Sequence, residues 1–428
     1  MKKDAVRERK QGAIETSVAM QQLMLPLLLA MDATKKGLLA FVQQMGMTVL
    51  QELFATEAAL IAGPKGKHLP GRTHHHWGTA RAPVAFGGRN VVVEHPRVRE
   101  RGKGKREVVL PSMEALREGD PLSARVAEQI VLGVSTRGYE RSLDPVEPEI
   151  EARGASKSNA SRGLIDATTE KLAEFVSRPL GDVDLCAMFI DGVEVARRSV
   201  LIALGVAIDG AKVPLGIWAG STENHVIATE LLQDLIKRGL RVEASILFVI
   251  DGGKGLRKAL KDVFGDRAVV QRCQVHKLRN VRDHLDEARR AYVARQMRDA
   301  YASATASTAK KKLLQLASWL ESNGEDSAAA SLREGLDETL TVINLGLPKT
   351  LVRSFSTTNA IENLNGTLRR VTRNVKRWRD EAMIRRWVAL AVAEAQRGFR
   401  RVKGYKGMPA LVAALRPTKA VASEKKVA

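Results

Sequence analysis

Three acidic positions carry the chemical reading. Asp191 follows the apolar run 185–190, and Asp251 follows the apolar run 245–250. Each is followed at once by glycine, Gly192 and Gly252, so a sharp turn after each strand would leave a carboxylate at the edge of a sheet. Two carboxylates brought together repel unless a cation lies between them. Oxygen donors of this kind suit Mg²⁺, with Mn²⁺ as a substitute. Paired ions of this type activate an attacking hydroxyl and stabilise a leaving oxygen in phosphoryl transfer. Asp209-Gly210 repeats the dipeptide but reads as a plain hairpin turn.

A third donor is expected from a later helix. Glu362, in Thr357-Thr358-Asn359-Ala360-Ile361-Glu362-Asn363, is the candidate. Two readings compete there. Asn359 and Glu362 fit a capping box, in which Glu362 only closes its helix. Alternatively, Asn365, Arg369 and Arg373 share roughly one face with Glu362, and Arg370 adds to the charge. A carboxylate followed by arginines would hold a metal and then a phosphate backbone.

The elements that must position these groups follow from periodicity. Strands are expected at 185–190, 197–208 and 212–219, then a helix at 224–239. A buried strand at 245–250, a helix at 253–264 and a strand at 268–271 complete the run. Three strands, helix, strand, helix, strand is the order of an RNase H-like mixed sheet. In such a sheet the strands ending at Asp191 and Asp251 are neighbours. Residues 277–345 then read as helical, and helix resumes near 359 and over 380–401. The end, from 419, reads as disordered.

The preceding part differs. Residues 11–60 show helical spacing that Gly63-Pro64 ends. Residues 61–110 are rich in helix breakers and basic residues, with short strands at 91–93 and 108–110. Arg97 and Arg99 belong to this basic module, which could cradle phosphates. Helical pieces are expected at 123–134, at 136–143 and from Ser156 or Ser158 to about 176. The short helix, the turn and the helix opening at Lys157, Ser158, Asn159 and Arg162 match a helix-turn-helix reader as well as a capped helical linker.

Charge supports a polyanionic partner. The 428 residues carry a net charge of +21 spread along the chain, which points to nucleic acid. Two cysteines, Cys186 and Cys273, exclude a disulfide framework and a four-cysteine zinc site, and they fit a reducing compartment. No apolar stretch approaches the ~18 residues that a membrane span needs. The apolar run 23–31 follows a basic start, but Asp4, Glu8, Glu15 and Gln21-Gln22 argue against a signal peptide.

Taken in order, these residues resemble the Mutator-type transposases of bacterial insertion sequences, a branch of the DDE transposases. The resemblance covers most of 79–400. It rests on Pro96-Arg97-Val98-Arg99, Arg178-Pro179-Leu180, Asp191-Gly192, Leu215-Gly216-Ile217-Trp218, Arg238-Gly239-Leu240 and Asp251-Gly252 with Gly255-Leu256. Gln271-Arg272-Cys273 with His276-Lys277 and Thr358-Asn359-Ala360-Ile361-Glu362 complete it.

The resemblance implies that Asp191, Asp251 and Glu362 form the catalytic, metal-binding triad, with a helical domain inserted before Glu362. It also implies a Cys-x-x-His signature at Cys273 and His276. Two such ligands do not make a zinc site; His276 and Lys277 are candidate DNA contacts, or His276 supports the acidic cluster. Trp319 corresponds to an inserted-domain tryptophan of related transposases, though its setting suits packing. His74-His75-His76 matches nothing in the family and reads as a surface or DNA-contact tract.

The expected layout is a helical region at 1–62, a basic β-containing module at 63–118 and a helix-turn-helix-like region at 119–180. The RNase H-like core follows at 181–285, a helical insertion at 286–350, core helices at 351–403 and a basic tail at 404–428. The implied activity is Mg²⁺-dependent cleavage and strand transfer on double-stranded DNA, both terminal inverted repeats and target. A homodimer or larger assembly in the bacterial cytoplasm, associated with the nucleoid, is implied too. A metal-dependent nuclease without strand transfer and an inactive DNA-binding repressor remain as alternatives.

Overall fold

Residues 37–416 are described by the computed structural model, apart from 68–69, 87, 103–105, 117–120, 147, 149 and 221–224. The helical expectation over 11–36 and the expected disorder from 419 lie outside the described residues. The chain divides into two units, Met1–Gln129 with Val134–Leu164, and Ile130–Gly133 with Ile165–Ala428.

The first unit is built on helix α1 (Gly37–Ala62) and a long antiparallel hairpin, β1 (His74–Phe86) and β2 (Arg89–Glu100). The short strands expected here are thus segments of one extended pair. Two-residue strands β3 (Glu107–Val108) and β4 (Ala152–Arg153) add to β2. Alternation puts Ala82 and Val84 on one face with Val93, the partner of Ala82, and together with Val98 they pack in one cluster with Phe54, Ala58 and Ala62 of α1. Helix α2 (Pro111–Ala115) adds Met113 to the same cluster. The hairpin also takes up His74-His75-His76, where His76 Nε2 lies 2.8 Å from the Gly63 carbonyl.

The membrane expectation needs amendment. Polar residues interrupt α1, yet an 18-residue window of its 26 residues has a mean hydropathy of 1.2. By length and composition it is long and apolar enough to cross a membrane.

Helix α3 (Pro121–Val131) and helix α4 (Lys157–Ser177) appear near their expected places. The short helix expected between them does not. Residues 136–143 hold a single 3₁₀ turn, Glu140–Ser142. The helix-turn-helix arrangement therefore lacks its short first helix, because Gly138 and the following turn close on local carbonyls instead of propagating.

The second unit is a mixed α/β body centred on a five-stranded sheet. Its strands are β5 (Leu185–Val195), β6 (Arg198–Ala207), β7 (Lys212–Gly220), β8 (Ile246–Ile250) and β9 (Ala268–Arg272). The order across the sheet is β7-β6-β5-β8-β9. The first three strands are antiparallel, and β8 and β9 join in parallel. Helices α5 (His225–Lys237) and α6 (Lys254–Phe264) connect the parallel part. They cover Met188, Ile190, Phe248 and Ile250 on one face. On the other face Phe189 stacks on Phe355 of α12 (Lys349–Phe355), with ring centroids 5.7 Å apart.

A helical segment follows β9: α7 (Gln274–Asp283), α8 (Glu287–Tyr301), α9 (Ala306–Ser322), α10 (Asp326–Arg333) and α11 (Thr341–Asn344). It has its own apolar cluster, including Val293, Met297, Leu313, Leu320 and Leu332. Trp319 packs against this cluster, 4.8 Å from Tyr292. Buried Gln271 ties β9 to the segment, donating to Thr339 O at 2.9 Å and accepting from Val342 N at 2.9 Å. Helices α13 (Asn359–Thr372) and α14 (Glu381–Arg397) return to the sheet. Helix α15 (Met408–Leu415) buries Met408, Leu411 and Leu415, so residues 404–416 are folded rather than tail.

Candidate active site

Asp191 does not end its strand. β5 runs on to Val195, and Asp191 pairs with Ile202 of β6 while Gly192 pairs with Leu201. The expected turn at Gly192 is absent because the hairpin partner keeps the backbone extended. Asp251 does lie at a strand end, one residue past β8, and Gly252 turns there with φ of 107°.

Register brings the two carboxylates together. In the parallel pair, Phe189 is opposite Val249 and Ile190 opposite Ile250. Asp191 and Asp251 are the next residues on the two chains. Side chains alternate along strands, so Ala187, Phe189 and Asp191 share the face opposite to Met188 and Ile190. That face looks toward α12 and α13. Burial first, and then the charge of Asp251, push the Asp191 carboxyl up to about 6; Glu362 adds to the rise, and His276 opposes it.

Helix α13 supplies the third side. Its N-cap is Thr358, not Asn359, so the capping box over Asn359 and Glu362 does not form. The Thr358 hydroxyl donates to Glu362 Oε1 at 3.1 Å. One turn on, buried Asn365 donates its amide to Asp191 Oδ2 at 2.8 Å. The amide oxygen Oδ1 of Asn365 is buried without a partner. The sequence places Asn365 on the face of Glu362 but gives no sign that it reaches Asp191.

Cys273 and His276 flank this cluster. The Thr358 hydroxyl lies 3.4 Å from both Cys273 Sγ and His276 Nδ1. Burial pushes the Cys273 thiol up, but hydrogen bonds from His276 and Thr358 outweigh it and leave it below its ordinary value. His276 is raised, first by its bond to Cys273, against burial, and further by the charges of Cys273, Asp191 and Asp251. The pair faces the acidic cluster rather than open solvent.

The donors are oxygens, the type that a hard divalent cation takes. The site offers carboxylate oxygens, one of them buried under the repulsion of its neighbours, and an unpartnered amide oxygen beside it. Among the described residues no group of three or more His, Cys, Asp or Glu side chains forms a ready cation cage. Asp251 Oδ1 instead accepts from Gly253 N at 2.9 Å.

The expected DNA contacts scatter. Lys277 is a correction: it is 2% exposed, and its Nζ donates to Ser331 O and Glu334 O, both at 2.6 Å, so it is an internal strut. Arg370 is tied to Glu394 at 3.3 Å, whereas Arg369 and Arg373 are exposed. On the hairpin, Arg97 forms a two-pronged pair with Glu107, and Arg99 lies 4.6 Å above the Trp77 ring. Lys157, Ser158 and Arg162 are exposed on the first turns of α4, and Arg162 bonds Asn159.

Comparison with known proteins fits this geometry. The family "Transposase, Mutator family" matches residues 20–402, and the chain belongs to that family. It is 28% identical over 249 residues to a probable transposase for an insertion sequence element of Corynebacterium diphtheriae, covering 56% of this chain and 71% of that one. It is 29% identical to the transposase for insertion sequence element ISRM3 of Rhizobium meliloti, over 49% of this chain and 53% of that one. It is 31% identical to the transposase for insertion sequence element IS406 of Burkholderia multivorans, over 60% of this chain and 66% of that one. The chain thus spans about half to two thirds of several of the curated relatives it matches.

Proposed function

We propose that the protein is a DNA transposase of an insertion sequence, with Asp191, Asp251 and Glu362 as its catalytic carboxylates on an RNase H-like core. The observation that carries the reading is the register of β5 and β8, which sets Asp191 and Asp251 side by side beneath α13. The strand order β7-β6-β5-β8-β9, antiparallel then parallel, supports the RNase H-like assignment.

In this reading, the three carboxylates would hold Mg²⁺, with Mn²⁺ as a substitute. When bound, the ions lower the pKa of an attacking hydroxyl and stabilise the leaving oxygen. The chain's own groups prepare the site. Asn365 fixes the Asp191 carboxylate, and Thr358 fixes Glu362. Cys273 and the acids raise His276 above its ordinary value, which favours its charged form beside them. Water attacks the phosphodiester at the element end and frees a 3′-hydroxyl. That hydroxyl then attacks a second phosphodiester, whose own 3′-oxygen leaves and takes up a proton, and positioning rather than a covalent protein intermediate supplies the rate. The net charge of +21 supports binding to terminal inverted repeats and target DNA. Holding two ends together calls for a homodimer or larger assembly.

The test is metal-dependent cleavage and joining of a labelled DNA end bearing the flanking repeat. Wild type is compared with Glu362→Gln. Both steps should fall by about 10³-fold, equivalent to ~4 kcal/mol of barrier, while DNA binding persists. Cleavage without joining would favour a nuclease, and unchanged activity in the variant would remove Glu362 from the site.

A further inference from the structure

A second feature lies behind the carboxylates. A cavity of about 740 Å³ opens beside Gly252, the residue after Asp251, between α6 and the chain that follows α10. Its volume falls in the ~300–1,000 Å³ range of small-ligand sites, enough for part of one nucleic-acid strand but not for a duplex.

The lining is cationic by construction. Helix α6 buries Leu256, Ala259, Leu260 and Phe264, which turns Lys254, Arg257, Lys258 and Lys261 to the opposite face. All four line the cavity. Such a stripe is ordinarily a solvated helix face, but here a wall stands across from it. On that wall Glu338 pairs with Arg257, and Glu334 lies 3.8 Å from Lys277. Asp266 lines the cavity as well, so five cationic side chains, Arg272 included, face three carboxylates. Lys254, Lys258 and Lys261 have no carboxylate partner among the described residues.

The floor supplies an independent observation. Arg272 is 6% exposed and lines the same cavity. It donates to Gly252 O at 2.8 Å and to Glu334 O at 3.2 Å, and its Nε is buried without a partner. The Glu334 carboxylate, half exposed, lies 3.7 Å from Arg272 Nη2 and offsets part of its charge, while the unused Nε leaves a donor that a further anion could take. The backbone is shaped to admit it. A Cβ at Gly252 would lie 2.4 Å from Arg272 nitrogens, and one at Gly335 would lie 2.0 Å from another.

We propose that this cavity binds consecutive phosphates of a single DNA strand next to the bond being cut. The assignment rests on the transposase reading above. A single strand with its scissile phosphate at Asp251 would carry the following phosphates past Gly252 and along α6, where the lysines line the cavity. Arg272 takes the phosphate at the mouth, and Lys258 and Lys261 take those beyond it.

The test uses the full chain and a fluorescein-labelled repeat end carrying a single-stranded extension, against a blunt internal duplex. The variant is Lys258→Gln with Lys261→Gln, both exposed, with its melting curve first matched to wild type. Affinity for the extended end should fall about tenfold at 0.15 M salt, with less than a twofold change for the internal duplex. The salt slope should drop by about 1.4, at ~0.7 per phosphate contact on single strands. Equal loss on both DNAs, or no loss on either, overturns the assignment. Inorganic pyrophosphate that competes as well as the extended end would overturn the strand and leave an isolated anion site. Failure of the transposase reading is separate: wild type would then bind the extended end without cutting it.

Discussion

The amide of Asn365 donates to the carboxylate of Asp191 at 2.8 Å, across 174 residues of chain. Both groups are buried, so the bond is not exchanged with water at low cost. It fixes one oxygen of the Asp191 carboxylate and leaves the other to the site. Residues that orient metal-binding carboxylates typically cost 10–100-fold in affinity or activity when removed. Asn365→Ala should therefore lower single-turnover cleavage by about 10–100-fold and raise the Mg²⁺ concentration needed. Asn365→Asp should do worse, because it adds a fourth negative charge. Wild-type Mg²⁺ dependence in Asn365→Ala would contradict this.

Asp191 makes stability depend on pH. Its folded carboxyl titrates at about 6, against an ordinary value of 3.8. A raised acid contributes stability that is fully present below the unfolded value and is lost as pH rises through about 6. Without a divalent ion the loss amounts to at most ~3 kcal/mol by pH 7. Asp191→Asn should melt several degrees above wild type at pH 7.5, about half as far above it at pH 5, and close to it only below the ordinary value of 3.8. Added Mg²⁺ should stabilise wild type at pH 7.5 and leave the variant unmoved. Identical melting of the two proteins at pH 7.5 would show that Asp191 carries no such penalty.

Thr358 joins Glu362 to the Cys273–His276 pair through one hydroxyl. Thr358→Val keeps the shape and removes the hydroxyl. Loss of a buried hydrogen bond of this kind costs about 1–3 kcal/mol, and cleavage should fall about tenfold with DNA affinity unchanged. Denaturant melts and an anisotropy titration read the two effects separately.

Lys277 separates a strut from a DNA contact. Burial lowers its ammonium to about 8, with the neighbouring Arg272 adding to the drop and Glu334 opposing it. Lys277→Met leaves the Ser331 and Glu334 carbonyls without their donor. The protein should lose about 1–3 kcal/mol, and its salt-dependent DNA binding should stay as in wild type. A flatter salt slope in this variant would restore Lys277 to the DNA surface.

Gly252 is needed twice, for its φ of 107° and for the approach of the Arg272 guanidinium. Gly252→Ala should destabilise by about 1–3 kcal/mol from backbone strain alone and displace Arg272. Its effect on cleavage of an end with a single-stranded extension should exceed its effect on binding to internal duplex. A fully stable variant would mean that the turn tolerates a side chain.

Much of this architecture was readable in the residues themselves. Period-two and unbroken apolar runs marked all five strands of the sheet, and amphipathic spacing marked α5, because those patterns are set by which faces leave water; composition alone marked the stretch after β9 as helical. The acid-glycine pairs and Glu362 could be picked out because they interrupt such runs with groups that need a reason to be there. Which neighbours those groups meet is a different kind of fact. Asp191 reads as a strand end from its own neighbours, yet pairing with β6 carries the strand onward. Lys277 reads as a surface cation, yet helix packing buries it against two carbonyls. The Asn365–Asp191 bond, the register that sets Asp191 beside Asp251, and the cavity around Arg272 all depend on segments far apart in the chain. Local sequence determines the elements and their faces; only tertiary packing decides the partners, because hydrogen bonds and charges act over a few ångströms of space and not along the chain.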